Sequence, residues 1–407
     1  MRNRIALALM TVCLGTAATA QEPEWLAAAR AREGQLRPPK KVRSSDGFFQ
    51  ARVPAKIVGK IVPDQGTYLV RMDAKTGAPV ECVVLRQGQE LASFLVATSK
   101  NVYEAVEASH GKVAAKAIAR VDAGAIGASP FLVVDWTHRI EPQGQPAAVG
   151  ALKQLAASKD GHTIYCVHDE VGYEQTFRSL AEALIGSMVF EDTPATRPYR
   201  SEISTLTLQG MRVAVDEVTY TRDADGDTRI QHTSAMLVPV DAQTLMASNE
   251  VMIQWARPDG ALINAFQTGT DNGELGAELK LEPHEDGSWA VSGMFKAKPL
   301  TAKLPVAKPS TMLGDVMLLR ETLAQPNPVG RVMKVRSWLP SVDPSQLLEQ
   351  QLAILRQIDN DKFVAKLEMS GIVADLVVDR DGSTIAGTLT MGPMKLAIER
   401  VFADGAI

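Results

Sequence analysis

The residues able to do acid–base work are few. Six histidines, His110, His138, His162, His168, His232 and His284, are spread over 407 residues. Asp135 and His138 share one segment, and His168-Asp169-Glu170 is a compact trio of acid and base types. General acid–base catalysis needs its two groups within hydrogen-bond reach. Neighbours on an extended strand point to opposite faces, so His168 and Asp169 make no dyad by adjacency. The chain has no Gly-x-Ser-x-Gly elbow, no His-Glu-x-x-His pair, no phosphate-binding glycine loop and no dinucleotide fingerprint. No catalytic residue is assigned on this basis, and no motif calls for a cofactor.

Three other groups invite a chemical reading. Asp223-Ala224-Asp225-Gly226-Asp227 sets three carboxylates at alternate positions around a glycine, as in the first half of a calcium loop. The closing bidentate glutamate is missing, and a hairpin turn wants Asp-Gly at the same place. Asp223, Asp225 and Asp227 are therefore a calcium candidate set against an ordinary turn. Asp379, Asp381 and Gly382 raise the same question with two acids. Cys82 and Cys166 both lie in alternating segments, and in an oxidising compartment such an even pair predicts one disulfide. Met312, Met317, Met333, Met369, Met391 and Met394 cluster in the final hundred residues. Methionine adapts to irregular apolar partners, which predicts a groove for an apolar, lipid-like ligand, with plain core as the alternative.

The elements that must position these residues begin after an N-terminal segment of another kind. Residues 1–20 hold Arg2 and Arg4, an apolar run and Ala18-Thr19-Ala20, the pattern of a secretory signal peptide. Cys13 belongs to that run and is lost with it. Residues 21–45 read as a flexible tail with a short helix near Trp25 and a basic cluster of Arg37, Lys40, Lys41 and Arg43. Residues 46–192 read as an α+β domain, a mainly antiparallel sheet with two helices. Its order of hairpins, sheet and closing helix resembles that of the small α/β/α sandwiches of PsbP-like and Mog1-like proteins. Residues 193–198 read as a linker.

Residues 199–407 read as a larger β-rich domain, a curved antiparallel sheet covered by one or two helices, with a subdivision possible near 299–310. Asp-Gly or Asn-Gly pairs at 225, 259, 272, 286 and 381 supply hairpin turns. Between Phe363 and Phe402 the apolar residues alternate through four strands with a turn at each change of parity. A helix is expected over Thr311–Leu323. A second is expected after Asp343, where Leu347, Leu348, Leu352, Leu355 and Ile358 fall at helical spacing. Within Met211–Tyr220 the parity changes between Val215 and Val218, which predicts a β-bulge. The whole resembles the open-barrel periplasmic proteins of the LolA-like group, which hold lipids.

Composition narrows the function classes. Hydrophobic residues make up 45% and charged residues 22%, enough material for sizeable cores. Loss of the signal leaves 41 basic against 47 acidic residues, a net charge of −6, and with 5% aromatics this disfavours nucleic acid. No apolar run after the signal is long enough to span a membrane. The reading is an exported, periplasmic or secreted bacterial binding or carrier protein with an apolar groove in its C-terminal part. The alternatives are a non-catalytic envelope scaffold that binds another protein and a hydrolase with an unrecognised site.

Overall fold

The computed structural model describes residues 24–407, apart from 78, 111, 142–143, 145, 147, 193–196 and 240–244. The signal segment 1–20, Cys13 and most of the linker lie outside the described residues. The chain is mostly antiparallel β-sheet with few helices, 12% in all. A small sheet joins β1 (Lys40–Arg43), β2 (Phe49–Val53) and β11 (Val189–Phe190). An eight-stranded sheet is built from β3 (Lys56–Ile57), β4 (Pro63–Asp64), β5 (Thr67–Asp73), β6 (Val80–Leu85), β7 (Lys112–Ile126), β8 (Ser129–Glu141), β9 (Ala148–Lys159) and β10 (His162–His168). Its order is β3-β5-β6-β10-β9-β8-β7, with β4 beside β5. Helix α1 is Glu24–Arg30, α2 is Leu91–His110 and α3 is Glu174–Ser187.

The residues expected to form a flexible tail are tied down from Glu33 onward. The Glu33 carboxylate accepts from the backbone N–H groups of Gln175 and Thr176, satisfying orphan donors at the start of α3. Gly34 N–H donates to Thr176 Oγ1, and Lys40–Arg43 pairs along β2. Helix α3 buries Phe177, Leu180, Ala181, Leu184 and Ile185 at helical spacing against β2, β6 and β9.

The third sheet has fourteen strands. Its first eight strands are β12 (Arg200–Leu208), β13 (Met211–Arg222), β14 (Thr228–Pro239), β15 (Leu245–Ala256), β16 (Leu262–Asp271), β17 (Glu274–Pro283), β18 (Trp289–Phe295) and β19 (Lys298–Leu304). After helix α4 (Met312–Ala324) come β20 (Val332–Trp338), β21 (Leu347–Gln357), β22 (Lys362–Met369), β23 (Ile372–Asp379), β24 (Thr384–Met391) and β25 (Met394–Gly405). First and last strands pair, β12 with β25, so the two edges are β19 and β20, which follow one another in the chain. Each expected Asp-Gly or Asn-Gly pair sits in a hairpin turn with its glycine at positive φ.

Helix α4 shows how far the sheet curls. Leu313 packs with Tyr220, Ile230 and Ala256 of β13–β15, while Leu319 and Leu323 pack with Ile354, Phe363 and Val378 of β21–β23. One helix reaches both sets, so strands far apart in the sheet face each other across it. Two turns clasp it from opposite walls. A Cβ on Gly260 would lie 2.5 Å from Gly314 Cα, and one on Gly382 would lie 2.6 Å from the Val316 carbonyl oxygen. Both approaches require glycine. Thr311 caps the helix, its Oγ1 accepting from Gly314 N–H.

Two expectations for this region are corrected. The stretch after Asp343 is strand β21, not a helix. Its buried residues Leu348 and Ile354 alternate toward α4, and a register shift after Ile354 leaves Leu355 and Ile358 on the surface. The Asp343 carboxylate instead accepts from Ser345 N–H within a turn. Along β13, pairing from Ala214 to Tyr220 is unbroken with both neighbours, so there is no bulge between Val215 and Val218. The bulge of β13 lies two residues earlier, at Val213, which is skipped where Leu206 faces Ala214 and Thr207 faces Arg212. The parity of β13 is mixed because both faces are covered: Val215 packs outward against the eight-stranded sheet, Tyr220 inward against α4. That outward core joins Leu91, Leu132, Trp136 and Tyr165 to Ile203, Ala235 and Leu237.

Candidate ligand-binding face

Residues directly opposite in an antiparallel pair project to the same side, so the register identifies what lines the concave, α4-bearing face. One row runs Met333, Leu352, Leu367, Ala374, Leu389, Leu396, Leu208 across β20 to β25 and on to β12. It is an apolar belt seven strands wide. Nearer the end opposite α4, Met369, Ile372, Met391 and Met394 form a second row. The belt is turned inward yet not packed shut. Met333, Leu352, Leu367, Leu389 and Leu208 are all half-buried, and every residue of β24 keeps some accessible surface.

The facing wall carries a polar row among apolar residues. Ser204, Asp216, Ser234 and Glu250 are successive partners across β12 to β15. His232 and Gln267, both opposite Met252, share that face. His232 Nε2 lies 3.7 Å from Asp216 Oδ1. Burial works against the imidazolium, but the hydrogen bond and charge of Asp216 outweigh it and hold the His232 pKa above its usual value. Burial raises the Glu250 pKa against the opposing pull of His232 and of hydrogen bonds from Gln267 and Ser341. Ser341 lies in the connection between β20 and β21. The concave face thus offers a long apolar wall and a short polar row, which can hold a molecule by its chain and orient it by its head.

Of the methionines expected to line a groove, Met333, Met369, Met391 and Met394 are brought to this face, and Met312 and Met317 lie on α4 against Tyr220 and Ile230. Five of them, all but Met369, are spread over three clusters. The polar row was missed because serines and carboxylates at alternate positions read as a solvent face. The signal available was that the intervening positions, among them Val215 and Ala235, are apolar as well.

The other candidates fall elsewhere. Asp223 Oδ1 accepts from Asp225 N–H and Asp227 N–H, which makes it the internal acceptor of the β13–β14 turn. Among the described residues no three His, Cys, Asp or Glu side chains converge as metal ligands. Asp379 Oδ1 likewise accepts from Ser383 N–H, and its Oδ2 pairs with Arg400 at 2.9 Å. Asp135 and His138 face opposite sides of β8, and a Cβ on Gly150, directly opposite His138, would overlap its ring. Asp169 is exposed, while His168 is buried with Nδ1 3.3 Å from the Pro79 carbonyl. His168 instead ends a row of ionisable side chains, Arg120, Asp135, Lys153, His168, across β7 to β10, of which the last three are buried. Burial and the nearby Glu174 raise the Asp135 pKa to about 7, against Arg120 and Lys153. Burial lowers those of Lys153 and His168. The side chain of His110 is outside the described residues.

Cys82 and Cys166 form the expected disulfide, directly opposite one another on β6 and β10. It fits an oxidising compartment. Among the described residues no helix is long and apolar enough to cross a membrane.

No family model matches the chain, and no curated protein matches it. Among solved structures it is similar to a β-barrel-like protein of the domain of unknown function DUF1849 from Brucella abortus, at 14% identity and a TM-score of 0.39. That likeness covers 52% of this chain and 99% of the other. It is also similar to a DUF1089 family protein from Pseudomonas aeruginosa, at 14% identity and a TM-score of 0.21, over 45% of this chain and 87% of the other.

Proposed function

We propose that this chain is an exported carrier that holds a single long-chain apolar molecule against the concave face of the fourteen-stranded sheet. The observation that carries this reading is the half-buried state of an inward apolar belt. Side chains such as Leu367 and Leu389 face α4 and the opposite wall, yet keep surface that a solid core would have covered. Seven strands at about 4.8 Å spacing give the belt a length of roughly 29 Å along its curve. A linear occupant matches that shape. The disulfide supports export, as does the signal-like segment 1–20.

Native mass spectrometry of the protein from its own compartment tests the proposal. The expected result is a bound apolar molecule on the folded chain, released under mild activation. The variant Leu389→Trp separates a vacant face from a packed one. In a vacant face the indole fills ligand space, so occupancy falls while stability changes by less than about 0.5 kcal/mol. In a packed face the same substitution costs about 1–3 kcal/mol by overpacking, and that outcome, with an empty wild-type chain, overturns the carrier reading.

A further inference from the structure

The three-stranded sheet of β1, β2 and β11 turns one face to the core and the other to solvent. Phe49, Ala51 and Val53 of β2 are buried in the core shared with the eight-stranded sheet, so Gln50 and Arg52 project outward. The register carries that outer face across all three strands. Lys41 lies directly opposite Arg52, and Arg43 lies opposite Gln50, which in turn lies opposite Val189. The face is therefore Lys41, Arg43 and Arg52 around Gln50, with Val189 at its rim, 55% exposed. All three cations are exposed, and among the described residues none makes a side-chain hydrogen bond or ion pair.

The chain around them is one-sided. Residues 37–60 hold seven lysines and arginines and one acid, Asp46, in a protein with more acidic than basic residues. Asp46 is taken up by Tyr68 and Arg86, at 2.7 and 2.9 Å, and Asp192 also faces Arg86, which leaves Glu191 as the free acid just past β11. Charge on an edge strand guards against pairing with another sheet, which accounts for Lys41 and Arg43 of β1. It does not account for Arg52, on the central strand. Beside the sheet, Ser45 N–H donates to the Ile61 carbonyl at 2.8 Å and brings the exposed residues Val58, Lys60 and Val62 to the β1–β2 turn. Lys60 adds a fourth cation, and Val62, 52% exposed, a second apolar side chain.

We infer that this face docks on the surface of an anionic phospholipid bilayer. The lipid phosphates meet Lys41, Arg43, Arg52 and Lys60, while Val62 and Val189 enter the headgroup boundary. An acidic polypeptide would offer charge to the cations but nothing to the valines, which favours lipid. The inference rests on the register of the small sheet and not on the carrier reading. A carrier of an apolar molecule collects or delivers it at such a surface, yet either reading can fail without the other.

The mature protein is sedimented with vesicles of phosphatidylcholine, alone or with about one-third phosphatidylglycerol, at about 0.1 M salt. The expected result is binding to the anionic vesicles at least about a hundredfold tighter than to the neutral ones, and its loss at about 1 M salt. Each cation near such a surface contributes about fivefold, so Arg52→Gln alone should weaken binding by about that factor. Lys41→Gln, Arg43→Gln and Arg52→Gln together should weaken it about a hundredfold. Lys280→Gln, Lys298→Gln and Lys395→Gln change the net charge equally at exposed positions of the fourteen-stranded sheet and should leave binding unchanged. Equal binding to both kinds of vesicle, or equal loss in the two triple variants, overturns the docking face and leaves the carrier standing. Soluble polyglutamate is the last probe. Binding per charge as tight as to the anionic vesicles would make the partner an acidic polypeptide and overturn the lipid surface.

Discussion

Asp135→Asn raises the unfolding free energy at pH 8 by up to about 4 kcal/mol and leaves it nearly unchanged at pH 4. In the folded chain burial lifts the Asp135 pKa to about 7, while in the unfolded chain it returns to about 4. Between those values the folded state holds a proton that the unfolded state has released, so stability falls as pH rises from about 4 to 7. Above pH 7 the full cost is present, because the carboxylate is charged beneath α3. Asparagine keeps the shape of the protonated acid and removes the titration. Glu217, buried at the start of α2 where it accepts from Ala92 N–H, titrates in the same window and with the same sign, its pKa lifted to about 7. The single variant therefore flattens part of the pH dependence, and Asp135→Asn with Glu217→Gln flattens more of it, leaving the share of Asp315, which burial lifts to about 6. Urea unfolding at pH 4, 6 and 8 measures this directly. A single variant that keeps the wild-type slope between pH 4 and 7 would show that Asp135 is not the proton held by the fold.

How much of this was legible in the sequence depended on whether one face or two were covered. The meander from Lys362 to Gly405 was readable because its outward residues, Lys395, Ala397 and Glu399, are exposed and its inward ones apolar, a clean period of two. Helix α4 was readable over Thr311–Leu323, and the structure adds that Thr311 caps it. Strand β21 was not, since a register shift converts two short alternations into a stripe that mimics helical spacing. Strand β13 defeated the same reasoning from the other side. It is covered outward by the eight-stranded sheet and inward by α4, so apolar residues occupy both parities, and the bulge expected between Val215 and Val218 lies instead at Val213. The polar row at Asp216, Ser234 and Glu250 went unseen for a related reason. A polar row inside a curled sheet has the local signature of a polar row outside it, and only the curl, a property of strands far apart in sequence, distinguishes them.

The disulfide is the feature whose removal should cost most. Cys82→Ala with Cys166→Ala is expected to lower the unfolding free energy by about 4 kcal/mol, because the bond closes a loop with a sequence separation of 84. Its position adds a second reason. The eight-stranded sheet consists of local hairpins except where β6 meets β10, and that seam joins β3, β4 and β5 to the β7–β9 meander. The loop so closed contains α2 and three of the sheet's strands, so without the bond the whole of it must be ordered before the seam forms. Both sulfurs are fully buried, with Val70, Leu155 and Ile164 in the same core. Alanine is the appropriate replacement, since serine would add the burial of two hydroxyls to the lost constraint. Denaturation of the wild type with and without a strong reductant, beside the double variant, makes the measurement. The reduced wild type should fall to the level of the variant, and the variant should be indifferent to reductant. A wild type whose midpoint does not move when the bond is shown by mass to be reduced would mean that side-chain packing across β6 and β10, not the covalent link, holds the seam.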